Sequence, residues 1–284
     1  MNQNQPGERA LRIAEEINKR TATRHYRIVL NTSRQPAITG SKTGGLPYWP
    51  SNKDYPTDDQ GNKMMMLIQI NCGEAHLASP LPDTGMLQWF ISTRADAMYG
   101  IQGNISGDSN RFRVVYHPVI DNLVTPQTVE SMDVPTHSTV ADHLTPVKRE
   151  VAIDVTLETT HMGVTDGRFS AIFNQVVKEM TGEDLGNQPW NDYMGNADNV
   201  YFENNIGMKA PRHQLLGYPT FTQEDPRANQ EEYGTLLLEL DSQFDEQNTP
   251  LVMWGDMGSG YIFISEANLQ ALRFDKVLYT WDCG

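Results

Sequence analysis

Residues 67–71 read LIQIN, and 170 positions further on residues 237–241 read LLELD. Both are short apolar runs of the kind that form buried strands. Working outward from this pair, Gly45-Leu46-Pro47 answers to Gly217-Tyr218-Pro219 at an offset of 172, and Trp89-Phe90-Ile91-Ser92 answers to Ile262-Phe263-Ile264-Ser265 at 173. Arg113-Val114-Val115-Tyr116 answers to Lys276-Val277-Leu278-Tyr279 at 163, a difference that an extra loop near positions 101–110 absorbs. Four blocks in the same order at nearly constant spacing predict a tandem internal duplication. Each half would carry a Pro-aromatic loop, a buried strand, a second strand ending in Ser, and a final strand.

The remaining segments fill in around this repeat. Leu11, Ala14 and Ile17 lie on one side of an amphipathic helix over residues 8–21, and a β-like run follows at 25–30. SKTGGLPYWP (41–50) has two Gly, two Pro and two aromatics in ten residues, so it reads as a stiffened loop. Residues 64–70, 86–91 and 112–116 read as strands, and the polar stretch 119–146 as irregular excursions. In 149–157, Val151, Ile153, Val155 and Leu157 alternate with smaller or polar residues, the pattern of a half-buried strand. Phe169, Ile172, Phe173, Val176, Val177 and Met180 form a helical stripe, with Asp166 as the expected N-cap and Gly182 as the stop. Residues 183–211, rich in Asn and Gly, read as a cover or functional excursion, and Ser265 caps a short helix before the last strand.

The predicted fold is α+β, mostly antiparallel β-structure from a tandem internal duplication, with a few covering helices. An N-terminal helix and strand would occupy 1–40 and a single domain 41–284. Within that domain the first repeat covers about 41–120, a connecting strand and helix about 147–182, and the second repeat about 213–284.

With 22 Lys and Arg against 36 Asp and Glu, the 284-residue chain has a formal charge of 22 − 36 = −14. That balance disfavours nucleic acid, whose binding rests on clustered cations. No run of 18 apolar residues and no signal-like N-terminus occurs, so no membrane contact and a cytoplasmic location are expected. Cys72 and Cys283 are too few and too far apart for a disulfide framework and read as reduced thiols. The seven histidines include no HExxH spacing, and His137 and His143 with Asp133 and Asp142 match no zinc class, so no metal is expected. Absence of GxGxxG, Walker and GxSxG patterns leaves no cofactor and no assigned catalytic residue.

Three groups of residues are candidates for ligand binding. GYPTFTQEDPR (217–227) concentrates Gln223, Glu224, Asp225 and Arg227, where carboxylates beside a guanidinium suit a polar ligand or a tuned base. The plainer reading is that Asp225 before Pro226 starts a turn and Arg227 tethers it. MWGDMGSGYIF (253–263) reads as a Gly-rich hairpin in which Trp254 and Asp256 either line a cleft or simply pack and turn. Trp49 and its counterpart Phe221 either sandwich a ligand or plug their own sheet ends.

Taken together, SKTGGLPYWP, MMMLIQIN, GMLQWFIS, GYPTFTQEDPR, LLLELDS, MWGDMGSGYIFIS and FDKVLYTWDCG resemble the YwqG-like family, over most of the chain from about Ser41. The resemblance implies a cytoplasmic mixed α and β fold with an internal duplication and little about function, since the family is one of unknown function. Some members resemble proteins encoded near bacterial toxin systems, which implies an immunity-like binding role. The expectation is therefore a non-enzymatic binding protein whose acidic surface suits a basic protein partner. The alternatives are a hydrolase or lyase using Glu224, Asp225 or Asp256 in a cleft between the repeats, and a small-metabolite-binding module.

Overall fold

In the computed structural model, which describes residues 6–96, 98–101, 110–207, 209, 212–227 and 231–284, the chain begins with α1 (Glu8–Thr21) and β1 (Thr23–Asn31). The first series of strands is β2 (Lys42–Thr43), β3 (Met65–Asn71), β4 (Met86–Ile91) and β5 (Phe112–His117). Next come α2 (Pro126–Glu130), β6 (Val151–Thr160), α3 (Phe169–Thr181), α4 (Trp190–Tyr193) and α5 (Asn196–Asn205). The second series is β7 (Gln214–Leu216), β8 (Thr235–Asp241), the small β9 (Gln243–Phe244) and β10 (Pro250–Val252), and β11 (Ser259–Ile264). Helix α6 (Glu266–Gln270) and β12 (Val277–Asp282) complete it.

Ten strands form one antiparallel sheet in the order β12-β11-β8-β7-β1-β6-β2-β3-β4-β5. The long β1–β6 pair lies in the middle, and four strands follow on each side in matching sequence. The sheet is nearly closed and barrel-like, because its two ends meet across an aromatic seam. Phe112 of β5 packs on Tyr279 of β12 at 5.0 Å, and Tyr116 on Phe274 at 5.4 Å.

Strands β3, β4, β8 and β11 are buried on both faces, which explains why they read as continuous apolar runs. Their inner residues, among them Ile68, Trp89, Leu238 and Ile262, share one core. Outside the first series, Tyr48, Trp49, Met66 and Phe90 are covered by Val124, Val129 and Val134 from the 119–134 segment. Outside the second series the described residues form a small cluster of Phe221, Leu236, Tyr261, Phe263 and Leu278.

The two series share finer details. Pairing skips one residue in each, Leu67 in β3 and Leu237 in β8, so both strands carry a bulge at the same point. Consecutive positive φ angles end β2 and β7: Gly44 and Gly45 at 59° and 68°, Leu216 and Gly217 at 62° and 79°. Beyond each bend a row of buried polar side chains holds the Pro-aromatic loop. In the first series Gln69 Oε1 accepts from the Tyr48 N–H at 2.8 Å, and Gln88 Nε2 donates to the Tyr48 carbonyl at 2.8 Å. In the second, Gln214 Nε2 donates to the Tyr218 carbonyl and the Tyr261 hydroxyl to the Thr220 carbonyl, both at 2.8 Å.

Several local expectations need correction. Helix α1 buries Ala10, Ile13, Ala14 and Ile17 and leaves Leu11 exposed, because the i, i+3, i+4, i+7 set faces α3. Asp166 does not cap α3. Its buried carboxylate accepts from Arg168 and Arg227 instead, and the helix starts at Phe169. Leu157 lies on the exposed outer part of β6. The 183–211 stretch contains α4 and α5, whose Trp190 and Phe202 pack with Phe169 and Phe173 in a separate helical core. The extra loop near 101–110 falls mainly on residues 102–109, outside those described.

Candidate functional site

The Gly217 bend sends the chain outward over the second series, where it settles on aromatic rings. Phe221 packs on Tyr261 at 4.9 Å and on Phe263 at 6.1 Å. Arg227 closes the loop: its guanidinium lies 4.7 Å over Phe263 and 5.6 Å over Phe221, and grips Asp225 through two bonds of 2.9 and 2.6 Å. Asp225 also accepts the Gly167 N–H at 2.9 Å, tying the loop to the approach to α3. Burial alone would raise the Asp225 pKa, but Arg227 and these N–H donors bring it below the ordinary carboxylate value.

A second clamp comes from the end of β12. Asp282 Oδ2 accepts the N–H groups of Thr222 at 2.7 Å and Gln223 at 3.0 Å, while Oδ1 accepts the Tyr261 hydroxyl at 3.0 Å. Gln223 returns the contact by donating to the Cys283 carbonyl at 2.8 Å. Strand alternation explains this placement: Tyr279 and Trp281 turn toward the inner aromatic cluster, so Thr280 and Asp282 face the loop.

Between the loop, the end of β12 and the first-series residues Met98 and Ile101 lies an open cleft of about 650 Å³, within the usual range for ligand sites. Half-buried Trp281 supplies its accessible aromatic surface, with Phe221 and Tyr261 buried at its floor, and Glu224, Asp225 and Asp282 supply its charge. Among the described residues, no Lys, Arg or His lines it. Asp225 and Asp282 are engaged by protein donors, so Glu224 is the carboxylate offered to a ligand.

The structure thus brings Gln223, Glu224 and Asp225 into one cleft, with Arg227 directly behind it. It does not bring Trp49, Trp254 or Asp256 there. Trp49 is buried in the first series against Tyr55, Phe90 and His117, its indole N–H donating to the Lys53 carbonyl at 3.0 Å. Trp254 is fully buried and stacks on Trp89. Asp256 stands exposed on the turn between Trp254 and Gly258, where its backbone carbonyl accepts the Gly284 N–H at 3.0 Å, and it is not part of the cleft lining.

Tyr261, Trp281, Asp282, Met98 and Ile101 were not read from sequence as site residues. Tyr261 was reachable, since matching Trp89 with Ile262 sets it against Gln88, and alternation along β12 would have put Asp282 outward. Nothing local marks Met98 or Ile101, which arrive from the other strand series.

Elsewhere the chemistry is quiet. Among the described residues no group of three His, Cys, Asp or Glu is arranged to hold a metal. His137 accepts the Gly45 N–H at 3.2 Å. Cys72 is free and buried, and burial pushes its thiol up to about 12, far from a reactive thiolate. No helix among the described residues is long and apolar enough to cross a membrane.

A family model described as a domain of unknown function, DUF1963, matches residues 41–283. The chain belongs to the DUF1963 family. That match begins one residue before β2 and includes both strand series and the whole cleft, while α1 and β1 precede it. No curated protein matches the chain.

Proposed function

We propose that this DUF1963 protein is a non-enzymatic binding protein, and that its cleft receives positive charge from a basic protein partner. The observation that carries the reading is the lining itself: aromatic surface and three carboxylates, with no cationic side chain among the described residues. The overall charge of −14 works in the same direction, because a summed negative field speeds encounter with a cationic partner. The carboxylates named for a hydrolase or lyase fit that chemistry less well. Of these, Asp225 is held by protein donors and Asp256 is not part of the lining, which leaves Glu224 without a second named carboxylate to work with.

The same reading includes a tandem duplication as the origin of the fold. It is supported by the matched strand order about β1–β6, the bulges at Leu67 and Leu237, and the polar rows holding the two Pro-aromatic loops. The YwqG-like resemblance and its immunity-like role agree with a binding protein, and two free thiols suit a reducing cytoplasm.

The test is titration with a lysine- and arginine-rich peptide at low and high salt, using the protein and its Glu224→Lys variant. Binding at low salt that weakens with added salt, and by at least about tenfold in the variant, is expected. No binding at low salt, or equal binding by the variant, would refute the assignment.

A further inference from the structure

Resting on the cationic-partner reading, the cleft's chemistry can be taken one step further. Among the described residues, three guanidinium groups lie over an aromatic ring while pairing with a carboxylate. Arg227 lies over Phe221 and Phe263 and pairs with Asp225. Arg168 lies 5.6 Å from the Tyr218 ring and pairs with Asp166 at 2.6 Å. Arg9 lies 4.9 Å from the Tyr193 ring and pairs with Glu183 at 3.3 Å. Two of these triples flank the cleft loop. The cleft lining repeats two of the three parts, a ring in Trp281 and a carboxylate in Glu224. The inner side of Trp281 is packed against Tyr99 at 5.0 Å and Trp254 at 6.3 Å, so its position is set from behind while the residue stays half-buried.

A planar, weakly hydrated guanidinium is the cation that satisfies both parts together, stacking on an indole while its fork meets a carboxylate. A lysine ammonium is a compact, strongly hydrated charge and gains less from the ring. We propose that the cleft is an arginine-recognition site, in which an arginine side chain on the surface of a protein partner stacks on Trp281 and pairs with Glu224. Met98 and Ile101 close the first-series side and would cover its aliphatic stem.

The experiment is an NMR titration of the protein with three short blocked peptides that differ only in a central arginine, lysine or citrulline, and with free arginine, following the Trp281 indole resonance and, in the Trp281 variants, the backbone amides of Glu224 and Asp282. The arginine peptide should bind about tenfold more tightly than the lysine peptide, and the citrulline peptide should fail to shift the resonance. Glu224→Gln should abolish the preference for arginine over citrulline. Trp281→Phe, which keeps a ring in place, should keep the preference for arginine over lysine, and Trp281→Leu should lose it. Equal binding of the arginine and lysine peptides would overturn the guanidinium assignment and leave the cationic-partner reading standing. Silence from every peptide at low salt would overturn both. Free arginine binding as tightly as the peptide would overturn the protein-borne source.

Discussion

The indole of Trp89 stacks on that of Trp254 with centroids 5.6 Å apart and planes 20° from parallel. One ring comes from β4 and the other from the hairpin before β11, so the stack joins the two strand series inside the core. Gly260 makes room for it, since a Cβ there would collide with Trp254 and lie 2.8 Å from Trp89. Tyr279 adds an edge-on contact to Trp89 at 5.1 Å.

Truncating either indole should therefore be severe. Trp89→Ala and Trp254→Ala are each expected to cost about 3–5 kcal/mol in urea denaturation, the range for emptying a large aromatic from a packed core. Because the rings touch, the double variant should lose less than the sum of the two. Strict additivity would mean that the stack contributes nothing of its own.

Glu239 should make stability fall as pH rises. Burial pushes its pKa well above the ordinary 4.5, although the Gln214 amide donates to it at 2.7 Å. Above pH 4.5 the unfolded chain releases this proton while the folded one keeps it, so unfolding gains about 1.4 kcal/mol per pH unit until the folded group also ionises. Glu239→Gln, which installs the residue type found at position 69, should flatten this slope and raise stability at neutral pH. An unchanged pH profile in the variant would show that Glu239 is ionised when folded.

His117 should act in the opposite sense. Burial, reinforced by Lys53, lowers its pKa from 6.5 to about 4. The folded state keeps the ring neutral while the unfolded chain takes up a proton, so stability present above pH 6.5 is lost as pH falls toward about 4. Across this window the protein should lose thermal stability relative to His117→Phe as pH falls, because only the chain with His117 takes up the proton on unfolding. Parallel pH curves would contradict the assignment.

Asp282 is expected to hold the cleft in shape. Asp282→Ala leaves the Thr222 and Gln223 N–H groups without their acceptor, while the Tyr261 hydroxyl keeps the Thr220 carbonyl, a loss of about 1–3 kcal/mol. Hydrogen exchange should accelerate at Thr222 and Gln223 while the amides of β3 keep their protection. Unaltered exchange at the two loop amides would show that the clamp is dispensable.

Much of the strand framework was legible because its signals are local. The runs at 67–71 and 237–241 mark β3 and β8, and alternation at Val151 and Ile153 marks β6, since burial of one or both faces writes itself into adjacent residues. The stripe from Phe169 to Val177 marks α3 for the same reason at helical spacing. The site was less legible. Gln223, Glu224 and Asp225 stood out as a polar cluster, but their partners Asp282 and Tyr261 lie in other strands, and Met98 and Ile101 in the other series.

Local patterns mark most of the longer strands and the helices α1 and α3, because pleat and helical turn are properties of neighbouring residues, but they leave the short β2, β7, β9 and β10 unmarked. The fates of the two Pro-aromatic loops are set by long-range packing. Trp49 is sealed beneath Val124, Val129 and Val134, whereas Phe221, buried to the same degree, lies at the floor of an open cleft clamped by Asp282. Whether an aromatic residue is covered, and whether a carboxylate is engaged, depends on segments some 60 to 85 residues distant in the chain. No local pattern encodes that choice.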